Sequence, residues 1–230
     1  MQFQALLKRT EINRKLPRIM KLDSIRREYR FAALTKQSVA PSPIDQFKEW
    51  LNDAQNANVN DFSAMSLITA EAGGFPQSRI VLLKDISANG FTFFTNYDSQ
   101  KGKAIEKNNK VGIHFFWPEL ERQVRINGIA EKVSREASVQ YFNSRPLESQ
   151  IAACASAQST ILTSRSKLEE KFKSLQNALQ GEQPECPEDW GGYLVRPVKI
   201  EFWQGRESRL HDRIVYELIE NAWKIKRLSP

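Results

Sequence analysis

A chain of 230 residues with 40% hydrophobic and 27% charged side chains has a globular balance and enough length to bury a core. That balance excludes a disordered or collagen-like chain, and no apolar run reaches the ~18–20 residues a membrane helix needs. Lys and Arg number 34 against 27 Asp and Glu, a formal charge of +7, which favours an anionic partner: nucleic acid, acidic lipid or a phosphorylated small molecule. The two cysteines, Cys154 and Cys186, form no CxxC and have no histidine-rich neighbourhood, so no metal site is expected. Two free thiols in a reducing cytoplasm is the expectation.

The first twenty residues are basic, with Lys8, Arg9, Arg14, Lys15 and Arg18 against Glu11, and lack the apolar stretch of a secretory signal. A transit peptide and an extension without a structural role both fit, and Met20 opens a segment that would serve as a start. Poor order is expected up to residue 23. The first firm element is a helix over 43–56: Ser42 caps it, Pro43 takes the first position, Asp45 suits the dipole, and Ile44, Phe47, Trp50, Leu51 and Ala54 form one apolar stripe. Strand chemistry follows. Met65–Ala70 and Gln77–Lys84 read as a hairpin about Gly73-Gly74, and Asn89-Gly90 turns into a strand at Phe91–Thr95. A short helix at Lys101–Lys107 precedes strands at Val111–Trp117 and Arg122–Val133. Ser134–Asn143 reads as a helix broken at Arg145-Pro146, where another starts, and Leu168, Phe172, Leu175 and Leu179 mark a long helix ended by Gly181. Three closing strands are expected near 192–204, 207–218 and 222–228. Short turns between strands, with helices in the longer connections, predict one domain of α+β class, an antiparallel barrel with peripheral helices.

Three clusters carry chemistry. If 207–218 is a strand, Arg209, His211 and Arg213 share a face; either a phosphate or other electron-rich ligand relieves their repulsion, or they lie on a solvated basic edge. Arg79-Ile80-Val81-Leu82-Leu83-Lys84 looks like a buried strand with charged ends. Its two cations fall on opposite faces of a regular strand, so they serve one site only if the strand bends or the ligand wraps its end. Tyr141, Arg145 and Ser149, spaced by four, read equally well as a phosphate cradle or as an ordinary helix surface.

The run from Ile200 to Arg213 closely resembles the signature of the pyridoxine/pyridoxamine 5′-phosphate oxidases, FMN enzymes that make pyridoxal 5′-phosphate. The likeness extends in order through RREY at 26–29, RIVLLK at 79–84, FFTN at 93–96, ERQV at 121–124, YFNSRP at 141–146, SQ at 149–150, QS at 158–159, WGG at 190–192 and the tail AWKIKRLSP. It covers about residues 24–230. The resemblance implies a split β-barrel of the FMN-binding type forming a homodimer, with each flavin held between subunits. It implies FMN contacts from Arg79, Ile80, Val81, Leu82, Leu83, Lys84, Phe94, Thr95, Gln100, Lys101, Gln123, Gln158, Ser159, Trp203 and Arg213. Lys84, Tyr141, Arg145 and Ser149 would surround the substrate phosphate. Arg209 and His211 would lie beside the pyridine ring as the catalytic, orienting pair. Arg26, Arg27, Glu28 and Tyr29 would belong to a lid-like segment over 24–40, and residues 190–230 would supply dimerisation and substrate-site strands. The expected substrates are pyridoxamine 5′-phosphate, pyridoxine 5′-phosphate and dioxygen, with neither nucleic acid nor membrane as partner.

Two departures stand out. Where the family usually has Ser-Arg-Lys, this chain has Ser99-Gln100-Lys101, which trades a charged hydrogen bond of ~1.5–3 kcal/mol for a neutral one of ~0.5–1.5 kcal/mol. After Tyr29 it reads Arg30-Phe31-Ala32-Ala33-Leu34, where relatives commonly carry a glycine pair. The competing functions are a flavin oxidase of the phenazine-biosynthesis type, a non-catalytic flavin-binding module, and a nucleic-acid binder. The intact Lys84, Tyr141, Arg145, Ser149, Arg209 and His211 set argues against the first two, and no nucleic-acid motif accompanies the charge.

Overall fold

The computed structural model describes residues 33–71 and 74–230; the basic extension and the Arg26–Tyr29 segment lie outside the described residues. Helix α1 spans Pro43–Asn56, with the Ser42 hydroxyl accepting the Asp45 N–H at 3.3 Å. The hairpin β1 (Ala64–Thr69) and β2 (Gln77–Leu82) follows, then β3 (Asp85–Ser87), β4 (Gly90–Asn96) and α2 (Gln100–Lys107). Strands β5 (Lys110–Trp117) and β6 (Arg122–Lys132) lead to α3 (Arg135–Ser144), α4 (Leu147–Ala155) and α5 (Arg165–Leu179). Strands β7 (Trp190–Gln204), β8 (Asp212–Ile219) and β9 (Ala222–Leu228) close the chain.

All nine strands join one antiparallel sheet in the order β2-β1-β5-β6-β7-β4-β3, with β8 and β9 continuing from β7. The fifteen-residue β7 organises it. One edge pairs with β6 along its length, while the other pairs with β4 through Trp190–Val195 and with β8 through Lys199–Gln204. The strand can serve both because the register slips at Asn127/Gly128, leaving Val198 as an extra residue. A side chain at Gly128 would collide with the Arg196 carbonyl at 2.7 Å. Gly90, at φ +143°, likewise lies where a Cβ would meet the Val195 carbonyl.

Alternation along the strands sends one set of side chains inward. Phe47 of α1 enters that core fully buried, its ring 4.9 Å from both Phe91 and Phe115. Trp50 packs edge-on against Phe202, and the Arg122 guanidinium covers its ring. Burying one such aromatic contributes roughly 1.5–3 kcal/mol.

Two expectations are corrected. The apolar run at 80–83 does not form a buried strand: β2 is the sheet edge, Ile80 is 69% and Leu82 42% exposed, while Val81 packs half-buried against the core and Leu83 is buried in it. The expected strand at 207–218 begins only at Asp212. Residues Glu207–Arg209 form a short 3-10 turn, with Ser208 and Arg209 at φ 54° and 62°, because the chain must reverse between Gln204 and its partner Asp212.

Candidate active site

Of the two ways in which Arg79 and Lys84 could serve one site, a bend in the RIVLLK segment is the one present, and its cause is a change of partner. Through Leu82 the chain pairs with β1, after which the Leu83 N–H donates to Ser63 O and the Lys84 N–H to Thr92 O, passing the chain to β4. Arg79 and Lys84 thereby line one cavity of about 750 Å³ within a single chain. Strand β4 adds Phe94, Thr95 and Asn96, α2 adds Lys101, the α3–α4 junction adds Tyr141, Arg145, Pro146 and Ser149, and Gln158 and Trp190 complete the wall with Ile80, Val81 and Leu82.

The junction exists because Pro146 forces Arg145 into extended backbone (ψ 153°), ending α3 and starting α4. Gln150, fully buried, donates from Nε2 to the Arg145 carbonyl at 2.8 Å and pins the turn. Tyr141, Arg145 and Ser149 thus face one cavity without sharing a continuous helix.

The electrostatics are one-sided. Among the described residues four cations, Arg79, Lys84, Lys101 and Arg145, line the cavity and no carboxylate does. Lys101 is 8% exposed; its Nζ donates to Gln158 Oε1 at 3.0 Å, Thr95 Oγ1 at 3.1 Å and Ser99 Oγ at 3.3 Å. Burial, with the Arg79 charge added, brings its ammonium down to about 8. Burial also lowers Arg79 and Arg145. The Arg145 Nη1 is buried without a hydrogen-bond partner among the described residues, while its guanidinium carbon lies 4.8 Å from the Trp190 ring centroid. Phe94 stacks on Tyr141 at 3.9 Å and on Trp190 at 5.6 Å. A cavity with buried cations, an unsatisfied guanidinium nitrogen and stacked aromatic walls is built for a flat, multiply anionic ligand.

Other expected residues gather elsewhere. Register places Phe116, Gln123, Trp203 and Arg213 in one row across β5, β6, β7 and β8. They project from the face opposite the core. The His114 Nε2–H donates to Gln123 Oε1 at 2.9 Å. His211 packs against the Trp203 ring at 4.6 Å; its Nδ1 accepts the Arg206 N–H at 3.1 Å, and burial and Arg209 lower its titration. His211 and Arg213 therefore flank Trp203 through a turn, while Arg209 stands exposed on that turn. None of these residues lines the cavity. Leu83 is in the core, Gln100 is exposed on the first turn of α2, and Ser159 is exposed beyond Gln158. Trp190 was missed as a site residue, although it opens the WGG motif. Glu201, buried beside the outer row, was missed as well.

The sheet, the cationic cavity and the second polar row together define a protein of the split-barrel class with a site for a flat anionic ligand. The profile of the family described as pyridoxamine 5′-phosphate oxidase matches residues 51–177, and that of the pyridoxine 5′-phosphate oxidase C-terminal dimerisation region matches 190–230. Proteins named pyridoxine/pyridoxamine 5′-phosphate oxidase from Hahella chejuensis and Haemophilus ducreyi are 51% and 52% identical, in each case over 92% of this chain and 100% of the relative. The chain belongs to the pyridoxine/pyridoxamine 5′-phosphate oxidase family. In fold it is similar to PhzG from Burkholderia lata in complex with tetrahydrophenazine-1-carboxylic acid (TM-score 0.82, 28% identity, 86% of this chain and 98% of that one). It is also similar in fold to a pyridoxamine 5′-phosphate oxidase-related, FMN-binding protein from Nostoc punctiforme (TM-score 0.66, 16% identity, 84% and 99%). Among the described residues no helix is long and apolar enough to cross a membrane.

Proposed function

We propose that the protein oxidises pyridoxamine 5′-phosphate and pyridoxine 5′-phosphate to pyridoxal 5′-phosphate. The observation that carries this reading is a cavity to which the described residues bring four cations, no lining carboxylate and an Arg145 nitrogen without a partner among them. Flavin phosphate and substrate phosphate are both monoesters with nearly two negative charges, and together they supply the missing anions. Arg79, Thr95, Lys101 and Gln158 would hold the flavin phosphate; Lys84, Tyr141, Arg145 and Ser149 would hold that of the substrate. FMN, when bound, supplies the acceptor for a hydride equivalent from the substrate C4′ carbon, with dioxygen as terminal acceptor giving hydrogen peroxide, and ammonia from the amine. The protein would orient the substrate and exclude water: Arg209 and His211 of the partner protomer would lie beside the pyridine ring, where His211, its Nδ1 accepting the Arg206 N–H, would present a neutral imidazole with its proton on Nε2.

The cavity and the outer row do not meet in one chain, and the matched dimerisation region supports a homodimer in which the row of one protomer completes the cavity of its partner. The exposed Ile80, Leu82 and Phe116 suit such a contact. The unpaired Cys154 and Cys186 suit a cytoplasmic enzyme. The deciding experiment is anaerobic mixing of the FMN-loaded protein with pyridoxamine 5′-phosphate, followed by air. Bleaching of the flavin absorbance and its recovery with one equivalent of peroxide are expected. Reduction by a dihydrophenazine carboxylate with no response to either B6 phosphate would transfer the protein to the phenazine-type reading.

A further inference from the structure

One step along the strands from the Gln123–Trp203–Arg213 row lies a second row on the same face, His114–Arg125–Glu201–Val215. Glu201 is its carboxylate, 4% exposed. Its two oxygens accept Arg213 Nε at 2.9 Å and Nη2 at 3.3 Å, a bidentate grip, and the same carboxylate accepts Arg125 Nη2. Arg213 Nη1 donates to the Ser229 carbonyl at 2.9 Å. Among the described residues three of the five guanidinium N–H groups are thus committed, leaving one on each terminal nitrogen.

A buried ion pair is weak evidence of net stabilisation, since desolvation offsets much of the attraction. What a bidentate carboxylate does supply is direction, because two parallel bonds fix the plane of the guanidinium. Burial alone would raise the Glu201 carboxyl, but the hydrogen bonds and charges of Arg213 and Arg125 hold it below the usual range, so it stays anionic at neutral pH. Without it, Arg125 and Arg213 would repel across the strand between them and Arg213 would leave Trp203.

We propose that Glu201 is a positioning residue, which holds Arg213 against the sheet beside Trp203 so that its two uncommitted N–H groups are presented to the ligand lying on this row. The inference rests on the reading of the Gln123–Trp203–Arg213 row as a flavin-contacting surface. Glu201 itself touches no ligand.

The test is a cycle of Glu201→Gln, Arg213→Gln and the double variant, reading FMN affinity by quenching of flavin fluorescence and KM for pyridoxamine 5′-phosphate at saturating FMN. Glu201→Gln is expected to weaken FMN about tenfold, with the double variant no more than twofold weaker than Arg213→Gln alone. KM should stay within threefold of the unmodified protein, a split that general loosening of the sheet would not produce. FMN binding unchanged in Glu201→Gln, additive losses, or a parallel rise in KM would each overturn the proposal. If Glu201→Gln does not fold, Glu201→Asp replaces it in the cycle, with at least threefold weaker binding and the same non-additivity expected. Failure of the unmodified protein to bind FMN would overturn the functional reading, and the proposal with it, and is recognised before any variant is made.

Discussion

The Asp212 carboxylate, at the first residue of β8, accepts the backbone N–H of Leu34 at 3.0 Å across 178 positions of sequence. Arg227 completes the clasp, donating to Asp212 Oδ1 at 2.5 Å and to the Leu34 carbonyl. The beginning of the described chain is thereby fastened beside His211. Burial would raise this carboxyl, yet the Leu34 N–H, Arg227 and Arg206 outweigh it and hold it below the usual range.

Asp212→Asn should therefore destabilise the protein by about 1.5–3 kcal/mol at neutral pH, the range for a lost charge-assisted hydrogen bond. A carboxyl that titrates lower when folded contributes stability above its ordinary range and loses it as pH falls. Urea denaturation should show the two proteins converging as pH drops below about 4, where the unfolded-state carboxylate protonates.

Arg145→Leu removes the guanidinium that lies over Trp190 with a buried, unsatisfied nitrogen. KM for pyridoxamine 5′-phosphate should rise about 10- to 100-fold, the equivalent of one charged hydrogen bond, with kcat within a few-fold. Pyridoxamine without phosphate should react equally poorly with both proteins; steady-state oxygen consumption reads both.

Lys101 titrates at about 8 in the ligand-free cavity, and a bound phosphate would favour its charged form. FMN affinity should then fall about tenfold per pH unit above 8. Lys101→Met should bind weakly at pH 7 and lose this slope. The sign for stability is opposite: between about 8 and 10.5 the unfolded chain holds the proton that the folded one has released, so the apoprotein gains stability as pH rises.

Arg209 is exposed on the turn before β8 and makes no part of the cavity wall. Arg209→Ala should slow flavin reduction at least tenfold in stopped-flow while FMN affinity changes less than threefold. A variant that loses its flavin yet is fully active on added FMN would remove the assigned role.

Light scattering at micromolar concentration should report about twice 26.5 kDa. Phe116, 55% exposed next to Gln123 on the outer face, offers a handle: Phe116→Arg should shift the species toward monomer and release flavin together. An active FMN-bound monomer would refute the shared site.

Helix α1 was legible to the residue because three local signals coincide there: the Ser42 hydroxyl, the fixed φ of Pro43 and the apolar period through Ala54. The Ile80–Leu83 run shows where such reading stops. Four apolar residues in a row announce that water must be excluded, but not whether the chain's own core or a second surface excludes it. The positive φ of Ser208 and Arg209 carries no Gly or Asn to betray it, so Arg-x-His-x-Arg passes for an alternating strand. Among site residues, the cations were found through ordered motifs: Arg79, Lys84, Lys101 and Arg145 share the cavity wall, whereas Arg209 and Arg213 lie away from it. Trp190 and Glu201 escaped because their roles depend on cross-strand neighbours, Trp190 against Asn96 and Glu201 against Arg125, which only register reveals.

Cavity and outer row sit on separate surfaces of one chain, which has a genetic consequence. In the proposed homodimer each complete site would draw its cavity from one protomer and its sheet row from the other. A chain crippled at Lys101 and a chain crippled at Arg213 would each be inactive alone, yet a mixed pair assembles one site from two sound halves and one from two damaged halves. Random pairing of equal amounts makes half of the dimers mixed, so about a quarter of the sites would be whole. Two recessive defects in this single gene would then complement one another, as if they lay in different genes.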